Sequence, residues 1–432
     1  MTHERRFEQQ LPDLLADLYL GRAPDYRNDI LQQTARVRQR PAWTFPERWL
    51  PMSVIPLGRV TVRPLPWRTI GLLAILALLI AAAVAIYVGS QPRLPASFGP
   101  AANGLVAYSA NGDIYTVDVI TGARSAIVSG PDNDYGPRWS RDGTRIAFLR
   151  ADETGGSARL FVVRADGQGL QALTPEPFLT LGPTDRDVYE FSPDGKRIMF
   201  VSKVRGVQLI SVVGMDGVLR NLDVGMSVRS AAWRPPNGDE ILFISQGGCC
   251  RGLYVARADG SDVRVIVGPP GTSNVHEALW SPDGTRIAYT RSGGLNSDDG
   301  FPVRLRVVSA DGDNDHGIGM GSGHQWEWEI APAWSNDGTR LVLVRIRSLV
   351  TLVVVSADGA GPRIEAYVGA VPPCYDDPGS HEWAPDDTSI MWRVGCISGE
   401  PIPPMFVDPQ TGATRPASWA ASSDPSWQRL AP

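Results

Sequence analysis

One short motif recurs along the chain. "RWSRDGTRIAFLR" begins at Arg138, "EFSPDGKRIMFVS" at Glu190, "AWRPPNGDEILFIS" at Ala232, "LWSPDGTRIAYTR" at Leu279, "AWSNDGTRLVLVR" at Ala333 and "EWAPDDTSIMWRV" at Glu382. Their aromatic anchors are Trp139, Phe191, Trp233, Trp280, Trp334 and Trp383, spaced by 52, 42, 47, 54 and 49 residues. A further anchor, Trp427, follows after 44 residues with no repeat behind it. Self-similarity at this period belongs to arrays in which each unit buries its apolar faces only against its neighbours.

Each unit reads as four short strands. An aromatic strand meets the charged turn, an apolar strand such as residues 287–291 follows, and a third strand such as "LYVARADG" from Leu253 leads through a hairpin to a fourth, "VRVIVG" from Val263. The ADG hairpins recur at Ala165, Ala258, Ala310 and Ala357. Glycine there supplies the positive φ that a tight hairpin needs. Four strands per unit is the arithmetic of a propeller blade. The strands from Gly104, Asp113 and Arg124 have no aromatic turn before them, and "DPSWQR" from Asp424 supplies the missing innermost strand. The expectation is an all-β, seven-bladed β-propeller of four-stranded blades over residues 104–430, closed by the C-terminal strand.

These motifs resemble the TolB-like β-propeller repeat, a WD-like family with the hallmark W-S-P-D-G-x-x-I-A-[FY]. Trp280, Ser281, Pro282, Asp283 and Gly284 fit it, as do Phe191, Ser192, Pro193, Asp194 and Gly195, and the likeness covers about residues 100–430. The resemblance implies an extracytoplasmic binding or scaffold propeller. The chain departs from TolB itself in its expected blade count, in lacking a cleaved leader and in lacking a separate α/β domain.

Before the repeats lies "TIGLLAILALLIAAAVAIYVGSQP", residues 69–92, without a charge. Its apolar core from Ile70 to Val88 would reach about 29 Å as a helix, near the ~30 Å of a bilayer's hydrocarbon. A single transmembrane helix is expected, with residues 93–103 as linker. Residues 1–68 carry a formal +4, the rest −9, and Arg59, Arg63 and Arg68 lie just before the apolar run. The positive-inside rule then sets residues 1–68 in the cytoplasm and the propeller outside a bacterial cell membrane. An acidic propeller also argues against nucleic acid as a partner. Within the first 68 residues, Leu11 to Gly21 and a stretch from Pro24 read as short amphipathic helices. This layout is similar to membrane-bound anti-sigma factors, which implies a cytoplasmic regulator bound at residues 1–50. The zinc motif of that family is missing, and a membrane-proximal stub stays an alternative.

Catalytic motifs are sparse. There is no G-x-S-x-G elbow, which the related propellers of prolyl-oligopeptidase-type enzymes accompany, and no P-loop or H-E-x-x-H. Asp142, Asp194, Asp283 and Asp337 sit before glycine in the turns, where a short carboxylate ties down backbone N–H groups. "DGDND", residues 311–315, starts like a calcium loop but has His316 and Ser322 where Gly and Glu are required. The loops before the innermost strands carry the candidate ligand-binding residues at the channel mouth: Asp134, Glu190, His276 with Glu277, His324 with Glu329, and His381 with Glu382. Such a ring could hold a cation, a cationic peptide or an amino sugar, or be a solvated polar rim. Cys374 and Cys396 fall on one face of the same blade and form a candidate disulfide, while Cys249 and Cys250 are adjacent in sequence.

The sequence therefore points to a membrane-anchored propeller that binds a protein, peptide or glycan without catalysis, needs no cofactor, and serves as a binding, scaffold or sensor module of the cell envelope. An anti-sigma-like signalling regulator is one alternative, and a hydrolase with its site at the channel mouth is another.

Overall fold

In a computed structural model of the protein, the described residues are 67–90, 98–152, 157–179, 189–247, 251–268, 274–292, 303–318, 328–346, 350–367, 380–393 and 403–431. The chain divides into two units, Met1–Ser90 and Gln91–Pro432. The readings of residues 1–66 as cytoplasmic helices and as a regulator's binding site fall outside the described residues, as do Cys249, Cys250, Cys374, Cys396 and His324.

Antiparallel strands dominate the second unit. The C-terminal strand Ser426–Leu430 pairs with Ala102–Ala110, Val106 opposite Trp427, and Asp113–Val117 and Arg124–Val128 complete that sheet. Its neighbours follow one plan, for example Val228–Trp233, Glu240–Ser245, Leu253–Arg257 and Arg264–Val267 in spatial order. Middle strands are buried on both faces, as in Arg340–Ile346 and Val350–Ser356, and outer strands such as Leu219–Leu222 are mostly exposed. Val, Ile and Leu fill the middle strands because each lies between two neighbouring sheets. The core accordingly sits between sheets. Leu149 and Leu160 of one pack with Phe191, Ile198 and Phe200 of the next, and Val106 and Trp427 pack with Met391 and Phe406 across the closure.

Two expectations are corrected. The strands do not form seven separate four-stranded blades. Five sheets have the size of one blade, and a sixth runs over eight strands. The cause is a parallel pairing of Val303 with Trp328, which joins the Val303–Ser309 strand to Trp328–Trp334 and fuses what the motif count treats as two blades. The transmembrane helix is the second correction. Trp67–Ser90 does form a helix, but among the described residues no helix is long and apolar enough to cross a membrane.

Candidate functional site

The charged turn explains itself locally. Asp283 accepts from the Ser281 hydroxyl at 2.5 Å, the Thr285 hydroxyl at 2.8 Å and the Thr285 N–H at 3.0 Å, while Ser281 Oγ accepts from the Arg286 N–H at 3.0 Å. The same bonds recur around Asp142 and Asp337. Burial pushes the Asp283 carboxyl up, but the Ser281 and Thr285 bonds and the Arg286 charge outweigh it and hold it below the ordinary value. The turn aspartates are structural. Arginines after the turns reach the next repeat: Arg286 stands 4.8 Å from the Trp334 ring centre and donates to the Gly338 carbonyl at 2.7 Å, and Arg340 stands 4.7 Å from Trp383.

The aromatic-bearing strands surround a cavity of about 390 Å³. Trp139, Trp233, Trp280, Trp334, Trp383 and Trp427 line it, together with Arg138, Arg141 and Arg429. Phe98 and Gly99, just ahead of the first strand, also line it; the Arg141 guanidinium lies 4.6 Å from the Phe98 ring centre, and Gly99 O accepts from Arg429.

Most of the candidate carboxylates are committed to holding strands together. Glu190 accepts from the Trp233 N–H at 3.0 Å and pairs with Arg141 at 3.5 Å. Glu277 accepts from the Ala331 N–H. Glu382 accepts from the Trp427 N–H at 3.3 Å. In each case a side chain on one innermost strand catches the backbone of the next, and Ser426 does the same for the Trp139 N–H at 3.3 Å. Glu329, fully buried, accepts from the Leu305 N–H at 2.9 Å. Asp134, also buried, is gripped by Arg150 through two bonds of 2.7 and 2.9 Å. Burial raises its carboxyl despite that grip.

Glu382 is the most perturbed of them. Burial pushes its carboxyl up to about 7, against the pull of Arg138, the Trp427 N–H, Arg141 and Arg429. Arg429 is pushed down to about 10 by burial and by the like charge of Arg141. His381 lines the cavity beside Glu382. His276 lies on the Asn274–Trp280 strand with Nε2 2.8 Å from Ser292 Oγ. Burial, then Arg251 and Arg229, drive its ring down to about 4, so it is neutral near pH 7.

The structure thus brings Glu190, Glu277, His381 and Glu382 to one cavity. Asp134, Glu329 and His276 are not among its lining residues. Among the described residues, no three His, Cys, Asp or Glu side chains are grouped to hold a metal ion. The aspartates of residues 311–315 do not converge on one point: Asp315 bonds Tyr289 Oη at 2.8 Å and Arg306 at 3.0 Å, and Asp311 caps its own turn. Sequence reasoning missed the arginines. Arg138, Arg141 and Arg429 line the cavity, and Arg229 and Arg251 face His276. One signal was available, since Arg229 and His276 each stand four residues before a Trp anchor.

Comparison with known proteins agrees with this architecture. A curated relative, an uncharacterized protein of Agrobacterium fabrum, is 26% identical over 144 residues, which is 31% of this chain and 46% of the relative. The chain thus spans about half the length of the curated relative it matches. The periplasmic gluconolactonase of Pseudomonas aeruginosa superposes with a TM-score of 0.52 at 16% identity, over 76% of this chain and 99% of that one. The oligogalacturonate lyase of Vibrio parahaemolyticus gives 0.50 at 12% identity, over 73% and 84%. At such identities these likenesses establish the fold alone. The family model described as the TolB beta propeller domain matches residues 83–328, more than half of the chain. With its aromatic-anchored sheets and Ser–Asp–Gly turns, the chain belongs to the TolB beta propeller domain family.

Proposed function

We propose that the propeller is a binding module that captures its ligand at the channel face and carries out no reaction on it. The observation behind this reading is the commitment of the channel carboxylates. Glu190, Glu277 and Glu382 each accept a backbone N–H from the adjacent innermost strand. A carboxylate fixed in that way supports the ring, and a paired acid and base would need two carboxylates turned toward a substrate. The reading sets the module in the cell envelope on the strength of its family; recovery of the chain in the cytoplasmic fraction alone would remove that part.

The test is a thermal-shift screen of the full chain against sugars, sugar acids, lactones and peptides, with product analysis by mass spectrometry on each mixture. At least one class is expected to raise the melting temperature and to be recovered unchanged. Conversion of a bound compound would favour a second reading, an envelope enzyme. That reading has one observation in its favour: Glu382 holds a carboxyl near 7 in the cavity, the range in which a general acid or base works at neutral pH. Solved propellers of this fold include a lactonase and a lyase. The second reading requires that Glu382→Gln abolish the conversion.

A further inference from the structure

Register shifts recur in the pairings of the innermost strands, and on two adjacent ones the residue at the shift is an arginine or a histidine. The register of Val228–Trp233 against Glu240–Ser245 shifts between Val228 and Ser230, and that of Asn274–Trp280 against Arg286–Ser292 shifts between Val275 and Glu277. The residues at the two bulges are Arg229 and His276. A bulge re-aims the side chain it carries, and bulges concentrate beside binding sites. The backbone around both is pinned. Gln246 N–H donates to Ser227 O at 2.7 Å, and Val275 N–H donates to Arg251 O at 3.2 Å.

Arg251 joins the pair from the neighbouring strand end. Its N–H donates to Asn274 Oδ1 at 3.1 Å, which holds it beside the start of the His276 strand. Its Nε is buried and has no hydrogen-bond partner. Among the described residues neither Arg229 nor Arg251 makes an ion pair, although eleven other arginine–carboxylate pairs are formed. The carboxylate next to His276 in sequence, Glu277, accepts from the Ala331 N–H.

Both arginines are half-buried, and a guanidinium nitrogen buried without a partner is costly, the more so with a like charge nearby. Burial and Arg229 lower Arg251, and burial, Arg251 and Arg229 together lower His276. Two guanidiniums, a neutral imidazole and the Ser292 hydroxyl hydrogen-bonded to it supply donors suited to an oxygen anion at the ends of these strands. Arginine matches a carboxylate or phosphate through its planar fork, and a bound anion would satisfy the orphaned Nε.

We infer that Arg229, Arg251 and His276 form a binding site for the oxyanion of a ligand, a carboxylate or a phosphate, at the bulged ends of two adjacent innermost strands. This deepens the proposed binding function by giving the ligand a negative group, and it rests on that reading. The cation-binding ring expected from the sequence does not share this chemistry.

The test melts the purified full chain at fixed ionic strength, with chloride replaced stepwise by inorganic phosphate or by citrate. A saturable rise in melting temperature over chloride is expected. A rise with phosphate alone identifies a phosphate-bearing ligand, with citrate alone a carboxylate-bearing one, and with both a pocket that accepts either; each supports the site. Arg251→Gln is expected to weaken the apparent affinity roughly tenfold or more, the loss of one charge-assisted hydrogen bond. Arg257→Gln, at an exposed residue paired with Asp262, is expected to leave it unchanged. If Arg251→Gln does not fold, Arg229→Gln carries the same expectation. No saturable rise over chloride, or a rise that survives both substitutions, overturns the site. The two readings fail separately. Turnover of a ligand with the anion response intact removes the non-catalytic module and leaves the site. Unconverted ligands that bind without regard to Arg229 and Arg251 remove the site and leave the module.

Discussion

Gly284 closes the turn of its repeat with φ +68°, and a Cβ there would lie 2.0 Å from the carbonyl oxygen of Pro235 in the adjoining sheet. Gly284→Ala therefore meets two costs. The left-handed conformation costs an L-residue about 1–2 kcal/mol. The methyl must also open a gap of roughly 1.5 Å to reach ordinary contact of about 3.5 Å. Its obstacle is backbone with no rotamer to change, so overpacking adds about 1–3 kcal/mol. The expected loss is about 2–5 kcal/mol.

Gly206 separates the two costs. Its φ is +87° and nothing lies within 4 Å of a Cβ built on it, so Gly206→Ala is expected to lose only the conformational part, about 1–2 kcal/mol. Both variants stiffen the unfolded chain equally, and that contribution cancels between them. Urea unfolding of the full chain, compared at unchanged m, measures the difference. Gly284→Ala is expected to unfold at lower urea by the contact part alone, about 1–3 kcal/mol. Equal losses in the two variants would refute the claim that these turns lock one sheet to the next.

Three further outcomes follow from the same contacts. Arg286→Ala removes a stack on Trp334 and a bond to the Gly338 carbonyl and is expected to cost about 1–3 kcal/mol in urea unfolding, with Arg286→Lys recovering only part. The carboxyl of Glu382 has its folded value near 7, above the ordinary 4.5, so the folded state holds its proton more tightly and its contribution to stability falls as pH rises from about 4.5 through about 7. Glu382→Gln is then expected to stabilise the protein at pH 8 by up to about 3 kcal/mol and to leave it unchanged near pH 4; a pH-independent difference in melting temperature would contradict the burial of that charge. Asp387→Gly relieves a φ of +59° but removes the acceptors of the Asn336 and Asp337 N–H groups and of the Asn336 amide, and a net loss of about 1–3 kcal/mol is expected by thermal melting; a gain would mean that the backbone strain outweighs the bonds.

What could be read in the sequence was whatever repeats. The Trp anchors and the Ser–Asp–Gly turns are local devices, completed by residues within five positions, as between Ser281 and Arg286. Repetition exposed them, and with them the all-β propeller and its family. Blade count was not local. It depends on whether the Val303 strand meets the Trp328 strand edge to edge, and that pairing spans 25 residues with no motif. It falls in the longest interval between anchors, 54 residues from Trp280 to Trp334, where the regular spacing was already failing.

The structural bonds of the channel carboxylates were illegible for a related reason. Glu190, Glu277 and Glu382 looked like a rim because loops before innermost strands face a channel, and a carboxylate there is normally turned to water or ligand. Each also accepts a backbone N–H of the next strand, a partner 43, 54 or 45 residues away. Spacing within one repeat cannot reveal a bond made between repeats. The arginines were hidden by the same logic reversed. Arg251 lies outside the repeat pattern, and only the fold sets it against Arg229 and His276. In a ring of similar sheets the shared residues hold neighbours together, as Arg286 and Glu382 do, and whatever distinguishes one segment is free to take on a ligand. Asp387 shows that a departure from the repeat can also be structural, because its carboxylate caps the preceding turn. Among the described residues, Arg229 and Arg251 depart from the repeat without any such carboxylate partner, and that contrast separates a candidate binding residue from a substituted structural one.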